Sequence, residues 1–366
     1  MSRKVAILGT GLIGGSIGLG LKAAAPGTVV TGYDPDPLTA EAAVRSGALD
    51  RAEPDPGAAV TGADTVVLAG PVDALEHLAA AIAPAVTPDA VVTDVGSAKA
   101  AAVAAGESAL GPRFVGGHPM AGSERHGIDA ASADLFRDAW WILTPTRATL
   151  PDAYARVAEM VGLLGAKPVA VSPSKHDSLV ARLSHVPQLT ASALVDLAAG
   201  AGDREALLGL AAGGFRDVTR IAASNPDLWV TILRSNKASI LDALSTLNRK
   251  LSVVAESIKR DQWDEVRDWL AGARNNRLEL FARPDLSGEP AGLSLPVTDR
   301  PGVLAEVTTA AGRLGANIED LRIVHSTEGG HGRLELVVTG EGPADRLADA
   351  LTKMGYRVER AAIVDP

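Results

Sequence analysis

Two polar loops carry the side chains whose types and spacing best suit chemistry. His118 lies in the loop GGHPMAG (116–122), directly after the apolar run 114–116. Its imidazole could act as a general base near neutral pH, or it could be an ordinary surface histidine. Ser97 lies in the earlier loop TDVGSAK (93–99), where its hydroxyl could take part in a reaction or simply cap the next helix.

A third loop, near the N-terminus, is rich in glycine. The apolar run VAIL (5–8) is followed by Gly9, Gly11 and Gly14 at the spacing GxGxxG, and then by a helix start of small residues. In a dinucleotide-binding turn these glycines allow a tight bend, a close approach of the backbone to a pyrophosphate, and close packing of helix on strand. The helix N-terminus then offers free N–H groups to the phosphates.

The residue after the second apolar run indicates which dinucleotide binds. Asp34 follows the run 28–33 and lies 20 residues after Gly14. A carboxylate there accepts hydrogen bonds from the ribose hydroxyls and repels a 2′-phosphate, so the sequence predicts NAD as the cofactor. We also assign Leu12, Ile13 and Pro71 to this cofactor site.

The elements that must position these loops alternate between apolar runs and Ala-rich helical stretches up to residue 171. This alternation predicts a Rossmann-type, doubly wound and mostly parallel α/β sheet in a domain of residues 1–171, with ligands at the carboxyl ends of the strands. The predicted strands are 4–8, 28–33, 65–69, 90–94, 114–116, 140–144 and 167–171. The predicted helices are 13–24, 38–46, 73–83, 97–109 and 152–164.

The pattern changes after residue 171, where strand signals disappear and long helical periodicities begin. We predict an all-helical domain over 172–282, in which Asn225 and Pro226 start a helix, Ser184 to Gln188 start another, and the segment 213–220 breaks one. Its predicted helices are 174–199, 203–212, 226–259 and 261–281.

A Pro- and Gly-rich linker, 283–292, separates this domain from a third domain of residues 293–366. The third domain follows the order βαββαβ of a ferredoxin-like fold. Its predicted elements are 293–298, 302–314, 317–325, 332–339, 343–354 and 357–363.

Composition excludes several classes of protein. The 366 residues include no cysteine, which rules out disulfides, cysteine–zinc sites and thiol nucleophiles, and no group of residues has metal-ligand spacing. A net charge of −9 with scattered basic residues argues against nucleic-acid or anionic-membrane partners. No apolar stretch is long enough to span a bilayer and no signal-peptide pattern is present, so the expected location is the cytoplasm.

These motifs, in this order, resemble those of the prephenate/arogenate dehydrogenase family of tyrosine biosynthesis. The similarity covers roughly residues 4–282, and GGHPMAGSE together with GFRDVTRIA is specific to this family rather than to dehydrogenases at large. The matching pieces are GTGLIGGS, DVGSAK, FVGGHPMAGSE, WILTPT, LSHVPQ, GGFRDVTRIA and SNPDLW. The resemblance implies a homodimer formed through the helical domain.

The resemblance also implies roles for particular residues. His118 matches the catalytic histidine that engages the ring C4 hydroxyl, and Ser97 matches the serine that supports both that hydroxyl and the histidine. Arg220 matches the arginine that binds a substrate carboxylate, although from the residues alone either Arg216 or Arg220 could form a carboxylate clamp or a surface salt bridge. Polar residues that match the lining of the same pocket are Glu124, Ser184 and Asp217.

One position departs from the family pattern. Gln188 stands where the family often carries a second histidine that contacts the far end of the substrate. Glutamine forms hydrogen bonds but cannot be cationic, which leaves open whether the substrate is the keto acid prephenate or the amino acid arogenate.

The C-terminal domain resembles an ACT domain, a small-molecule sensor fold. The segments DRPGVL (299–304) and GANI (315–318) match its two ligand-side turns, so Asp299, Gly302, Gly315 and Asn317 are candidate regulatory residues. Tyrosine is a possible effector, bound either here or in the active site. A dimerisation module without any ligand is the alternative.

The resulting prediction is oxidative decarboxylation of prephenate with NAD⁺, in which neutral His118 accepts the hydroxyl proton. A flat kcat profile down to about pH 5, well below a typical histidine pKa, would count against that role. The alternatives are an arogenate dehydrogenase, a β-hydroxyacid dehydrogenase, and a catalytically silent sensor of NAD or an amino acid. Lys175 and Lys237 lack the motif of a β-hydroxyacid dehydrogenase, and a silent sensor would not need His118, Ser97 and Arg220.

Overall fold

The computed structural model describes residues 3–122, 127–200, 213–281, 289–298, 303–316, 318–325 and 331–361. The chain divides into two compact units, Met1–Glu256 and Ser257–Pro366. In the described residues, no helix has the length and apolar character needed to cross a membrane.

The first unit is built on an eight-stranded sheet in the order β3-β2-β1-β4-β5-β6-β7-β8. Strands β1 to β6 are parallel to one another, β7 is antiparallel to β6, and β8 is parallel to β7. The strands are β1 (Lys4–Leu8), β2 (Val29–Tyr33), β3 (Arg51–Ala52), β4 (Thr65–Leu68), β5 (Val91–Asp94), β6 (Phe114–Pro119), β7 (Trp140–Thr144) and β8 (Lys167–Ala170). The prediction of a mostly parallel, doubly wound sheet is confirmed, although the short strand β3 was not predicted.

Helices cover both faces of this sheet, which explains why its central strands β1, β4 and β5 are buried at almost every position. In β1, Val5 and Ile7 pack on the face covered by α1 and α6, whereas Ala6 and Leu8 pack on the face covered by α3, α4 and α5. The helices of this layer are α1 (Leu12–Ala24), α2 (Pro37–Arg45), α3 (Pro56–Val60), α4 (Leu75–Ile82), α5 (Ala100–Leu110) and α6 (Pro151–Leu163). Helix α3 was not predicted, and α5 begins three residues later than the predicted start at 97.

In the helical segment that follows, several predicted helix boundaries are wrong. Its elements are α7 (Pro173–Val180), a π-helical turn (Ala181–His185), α8 (Val186–Ala199), α9 (Gly213–Thr219), a 3₁₀ turn (Arg220–Ala223), α10 (Pro226–Ser235) and α11 (Lys237–Lys259). The segment 213–220 was expected to break a helix but is itself helical. The predicted helix 226–259 is interrupted at Asn236, and the predicted helix 203–212 lies outside the described residues. Asn225 caps α10 as predicted, because its side chain accepts a hydrogen bond from the Asp227 N–H.

The second unit contains α12 (Trp263–Phe281) and a βαββαβ domain with the sheet order β10-β11-β9-β12, all pairs antiparallel. The domain's elements are β9 (Pro290–Thr298), α13 (Val303–Arg313), β10 (Ile318–His325), β11 (His331–Thr339), α14 (Glu341–Lys353) and β12 (Glu359–Ala361). This confirms the ferredoxin-like prediction. Strand β9 begins three residues before the predicted start at 293, inside the predicted linker.

Candidate active site

The glycine-rich loop connects β1 to α1 at the carboxyl edge of the sheet and leaves room for a ligand. Gly9 has φ +98°, and a Cβ there would lie 2.6 Å from the carbonyl carbon of Ala69. A Cβ on Gly14 would lie 1.9 Å from the carbonyl oxygen of Gly9, so close helix–strand packing requires glycine. A Cβ on Gly11, the N-cap of α1, would meet no atom within 4 Å. The open space lies where the first N–H groups of a helix bind phosphate.

The carboxylate of Asp34, at the end of β2, is held against this loop. Its Oδ2 accepts a hydrogen bond from the backbone N–H of Thr10 at 2.7 Å, and its Oδ1 accepts one from the N–H of Asp36 at 3.1 Å. Each carboxylate oxygen can accept more than one hydrogen bond, so acceptor capacity remains for two ribose hydroxyls. The loop and Asp34 therefore fit NAD, with the pyrophosphate at α1 and the adenosine ribose at Asp34.

His118 lies at the carboxyl end of β6 and hydrogen-bonds to a residue of the helical segment. Its Nδ1 lies 2.9 Å from Nε2 of His176, in α7, and the two rings meet edge-on with centroids 5.1 Å apart. The Nδ1 of His176 lies 2.8 Å from Oδ1 of Asp177. His118 is half-buried, whereas His176 is fully buried and Asp177 is 3 % exposed.

Asp177 is anchored to the start of α5. Its Oδ1 accepts the backbone N–H of Lys99 at 2.7 Å, and its Oδ2 accepts that of Ala100 at 2.8 Å. Although burial raises the pKa of Asp177, the hydrogen bonds from His176 and these two backbone groups outweigh it and hold the pKa below its usual value. The carboxylate is therefore ionised at neutral pH.

A buried ion pair supports the strand end that carries His118. The Nζ of Lys99 pairs with Oδ2 of Asp94 and donates to the carbonyl oxygen of Gly117 at 2.8 Å. Asp94 also accepts the N–H groups of Gly96 at 2.9 Å and Gly117 at 3.0 Å. Both charged side chains are fully buried, so the pair ties β5, β6 and the start of α5 together directly behind His118.

The surroundings keep the imidazole of His118 neutral. Burial lowers the pKa of His118 well below the usual 6.5, and neighbouring basic groups, above all His176, lower it further. A neutral imidazole offers one nitrogen as a proton acceptor. In the described part of the chain only Nδ1 has a hydrogen-bond partner, which leaves Nε2 to accept a proton.

Comparisons with known proteins agree with this geometry. Residues 17–170 match the family model for the nucleotide-binding domain of prephenate dehydrogenase, and residues 172–272 match the model for its dimerization domain. The chain belongs to the prephenate dehydrogenase family. It is an NAD-dependent oxidoreductase of that family. Residues 293–356 match an ACT domain of the type described as AHAS small subunit-like.

Individual members of the family are similar along most of their length. The prephenate dehydrogenase of Bacillus subtilis is 34 % identical over 92 % of this chain and 92 % of its own. The cyclohexadienyl dehydrogenase of Zymomonas mobilis is 33 % identical over 78 % of this chain and 98 % of its own. The crystal structure of A. aeolicus prephenate dehydrogenase with hydroxyphenyl propionate and NAD⁺ is 32 % identical, with a TM-score of 0.72 over 76 % of this chain and 99 % of that one.

The structure places the remaining predicted site residues of this family member as follows. Ser97 is half-buried in the loop after β5, and it is not a helix cap, because the N-cap of α5 is Lys99. Gln188 lies in the first turn of α8 and is 6 % exposed; Ser184, four residues earlier, is half-buried in the π-helical turn. Arg220 and Asp217 are exposed on the segment 213–223, which packs against α8.

Several assignments in this dehydrogenase remain predictions. Glu124 lies outside the described residues, as do the candidate regulatory residues Asp299, Gly302 and Asn317. Gly315 is described and has φ +63°, in the left-handed region that glycine favours. Pro71 is exposed in the loop after β4, next to Gly70, whose backbone nitrogen would lie 2.7 Å from a Cβ on Gly9. Among the described side chains, no group of His, Asp and Glu could hold a metal ion.

Sequence reasoning missed the two residues behind His118. His176 and Asp177 belong to the predicted helix 174–199, and their only local signal is an imidazole next to a carboxylate in a helix that is otherwise ordinary. Asp94 and Lys99 were within a recognised motif, DVGSAK, but their pairing could not be inferred from it.

Proposed function

We propose that this dehydrogenase catalyses the oxidative decarboxylation of prephenate to 4-hydroxyphenylpyruvate in tyrosine biosynthesis. The observation that carries the proposal is His118: a neutral histidine at the ligand edge of an NAD-binding sheet, with Nε2 available to accept a proton. The names of the similar enzymes from Bacillus subtilis and Zymomonas mobilis support the same class of cyclohexadienyl substrate.

The chain's residues are proposed to bind the substrate and to hold one proton. Bound NAD⁺ supplies the hydride acceptor for the hydrogen at ring C4. His118 accepts the C4 hydroxyl proton, with Ser97 as a second hydrogen-bond partner of that hydroxyl. The bond between the ring and its carboxylate then breaks and CO₂ leaves. Once the ring is aromatic, His118 returns the proton to the phenolate oxygen, so the net reaction neither consumes nor releases a proton.

Residues of the helical segment are proposed to hold the two ends of the substrate. Arg220 binds a substrate carboxylate through its planar guanidinium group. Ser184, Asp217 and Glu124 are proposed to line the same pocket, in a chain whose proposed domains are 1–171, 172–282 and 293–366. The dimerization-domain match supports a homodimer formed through the helical segment.

Arogenate is the second candidate substrate, and one observation favours it. Gln188 is buried and its Oε1 has no hydrogen-bond partner in the described part of the chain. An unpaired buried acceptor costs about 1–3 kcal/mol, and the ammonium group of arogenate would satisfy it, whereas the keto group of prephenate would not. The solved arogenate dehydrogenase of Synechocystis is 31 % identical over 76 % of this chain, with a TM-score of 0.68.

NADH formation with each substrate tests these proposals. The wild-type protein is assayed at 340 nm with NAD⁺ and either prephenate or arogenate, beside His118→Asn and Gln188→His. Turnover of prephenate that is lost in His118→Asn supports the main proposal. Turnover of arogenate alone, reversed toward prephenate by Gln188→His, supports the second. Turnover of neither, with NAD⁺ binding intact, refutes both and favours a silent sensor.

We also propose feedback inhibition by tyrosine, which would bind either in the active site or in the ACT domain. Inhibition that is competitive with the substrate, and persists when the chain is cut near residue 285, assigns tyrosine to the active site. Inhibition lost on truncation while turnover persists assigns it to the ACT domain.

A further inference from the structure

His118 is the outer member of a linear chain of three side chains. Its Nδ1 contacts Nε2 of His176 at 2.9 Å, and the opposite nitrogen of His176 contacts Asp177 at 2.8 Å. The inner two members are buried, and the backbone carbonyl of Asp177 accepts a further hydrogen bond, at 2.8 Å, from the side chain of Asn236. The inner end of the chain is therefore fixed from several sides.

The ionised carboxylate of Asp177 determines which nitrogens carry protons. A carboxylate only accepts hydrogen bonds, so the Nδ1 of His176 must donate to it. A neutral His176 then has an unprotonated Nε2, which can only accept. The Nδ1 of His118 must therefore carry the proton and donate to His176, and its Nε2 must hold the lone pair. The proton pattern follows from the bonding pattern together with a neutral His176, because a protonated His176 would donate from Nε2 and reverse it.

We propose that His176 and Asp177 are positioning residues that hold His118 in the Nδ1–H tautomer, with Nε2 directed toward the substrate hydroxyl. The inference deepens the proposed function and rests on it, because it assumes that His118 is the base. Neither positioning residue touches the substrate. They act by removing the wrong tautomer and the wrong ring orientation of the base.

The loss of activity that follows removal of such a positioning residue is known from other enzymes. In serine proteases, the aspartate behind the catalytic histidine holds its tautomer, and exchange to asparagine lowers kcat about 10⁴-fold. For histidines that bind metals, loss of the partner that orients the ring costs about 10–100-fold. We expect the smaller range here, because His118 stays in place at the end of β6 through its backbone hydrogen bonds with β7.

Two matched substitutions at residue 176 separate positioning from simple packing. The amide of glutamine reaches the position of the imidazole Nε2, so His176→Gln retains an acceptor for His118. The shorter amide of asparagine occupies the position of Nδ1, so His176→Asn retains the contact with Asp177 but leaves His118 without its partner. Both variants place a neutral amide in the same buried site, and a packing role would affect them alike.

Steady-state kinetics with saturating NAD⁺ give the first result. We expect His176→Asn to lower kcat about 10–100-fold with little change in the KM of the substrate, and His176→Gln to retain most of the turnover. Equal kcat values in the two folded variants would overturn the proposal. Thermal melting and NADH binding confirm that each variant is folded.

A spectroscopic measurement on the wild-type protein decides the matter even if neither variant folds. In protein labelled with ¹⁵N-histidine, the His118 signals are assigned by their loss in His118→Asn. A proton on Nδ1 supports the proposal, and a proton on Nε2 overturns it. The failure of the proposed function has a different signature, because His118→Asn would then remain active whatever the tautomer.

Discussion

Replacing Lys99 by methionine tests how strongly the buried ion pair stabilises the end of β6. Methionine has a similar length and no charge, so it removes the partner of Asp94 and the donor to the Gly117 carbonyl without opening a large cavity. Removing one member of a buried pair costs about 3–5 kcal/mol, because the other charge stays buried without compensation. Asp94 keeps its hydrogen bonds from Gly96 and Gly117, which places the expected loss near the lower limit, about 3 kcal/mol.

Urea denaturation followed by tryptophan fluorescence measures this loss. With an m-value of about 3 kcal/mol per molar for a unit of this size, the midpoint of the dehydrogenase unit should fall by about 1 M. The matched control is Lys99→Met combined with Asp94→Asn, which also removes the orphaned charge and should be less destabilised than the single variant. A single variant within about 1 kcal/mol of wild type, or a double variant with additive losses, would refute the reasoning.

Three further predictions concern pH and the cofactor loop. Burial lowers the pKa of His185 from 6.5 to about 4 in the folded state. Between these two pH values the side chain therefore binds a proton more readily in the unfolded state than in the folded state. The contribution of His185 to stability should therefore fall by about 3 kcal/mol as the pH falls from 6.5 to 4. In pH-dependent denaturation, His185→Gln should remove this contribution and leave that of His118. The pKa of His118 is held well below 6.5, so kcat should stay constant from pH 7 through pH 6.5 and fall only at lower pH. A fall in kcat centred on pH 6.5 in buffered steady-state assays would contradict this lowered pKa. Gly11→Ala should fold normally but bind NADH more weakly, because its Cβ would enter only the open space left for the cofactor. Gly14→Ala should lower the melting temperature, because its Cβ would collide with the Gly9 carbonyl oxygen. Equal melting temperatures for the two variants would count against the close packing at Gly14.

The structure changes what a flat pH profile of kcat would mean for His118. A flat profile down to about pH 5 counts against a histidine base only if the base has an ordinary pKa. Burial and neighbouring basic groups lower the pKa of His118, so a profile that is flat to that pH is compatible with its role. Composition and spacing do not reveal burial, and the shift could not be predicted.

Much of the fold was predictable because its signals are local. Alternating apolar runs, the glycine turn and Asp34 each depend on a few neighbouring residues. The missed helix α3 also has a local signal: Asp55 caps it and Pro56 occupies its first turn, as Asn225 and Pro226 do for α10. The two-residue strand β3 is too short to carry any periodic pattern.

The support of His118 could not be predicted because it joins distant parts of the chain. His176 is 58 residues away in sequence, and Asp177 contacts the start of α5 across 78 residues. The apparent cap at Ser97 was misleading for a related reason: Asp177, from outside the local segment, satisfies the first N–H groups of α5, so the helix starts without a serine cap.

The contact between His118 and His176 joins two segments of the chain that are synthesised at different times. A ribosome completes β6 well before it reaches α7, so the glycine turn and Asp34 exist in the nascent chain while His118 still lacks its partner. In the folded protein, Asp177 holds α7 on the start of α5, and this contact brings His176 against the ring. A chain released before residue 176 would carry the nucleotide loop without an oriented histidine.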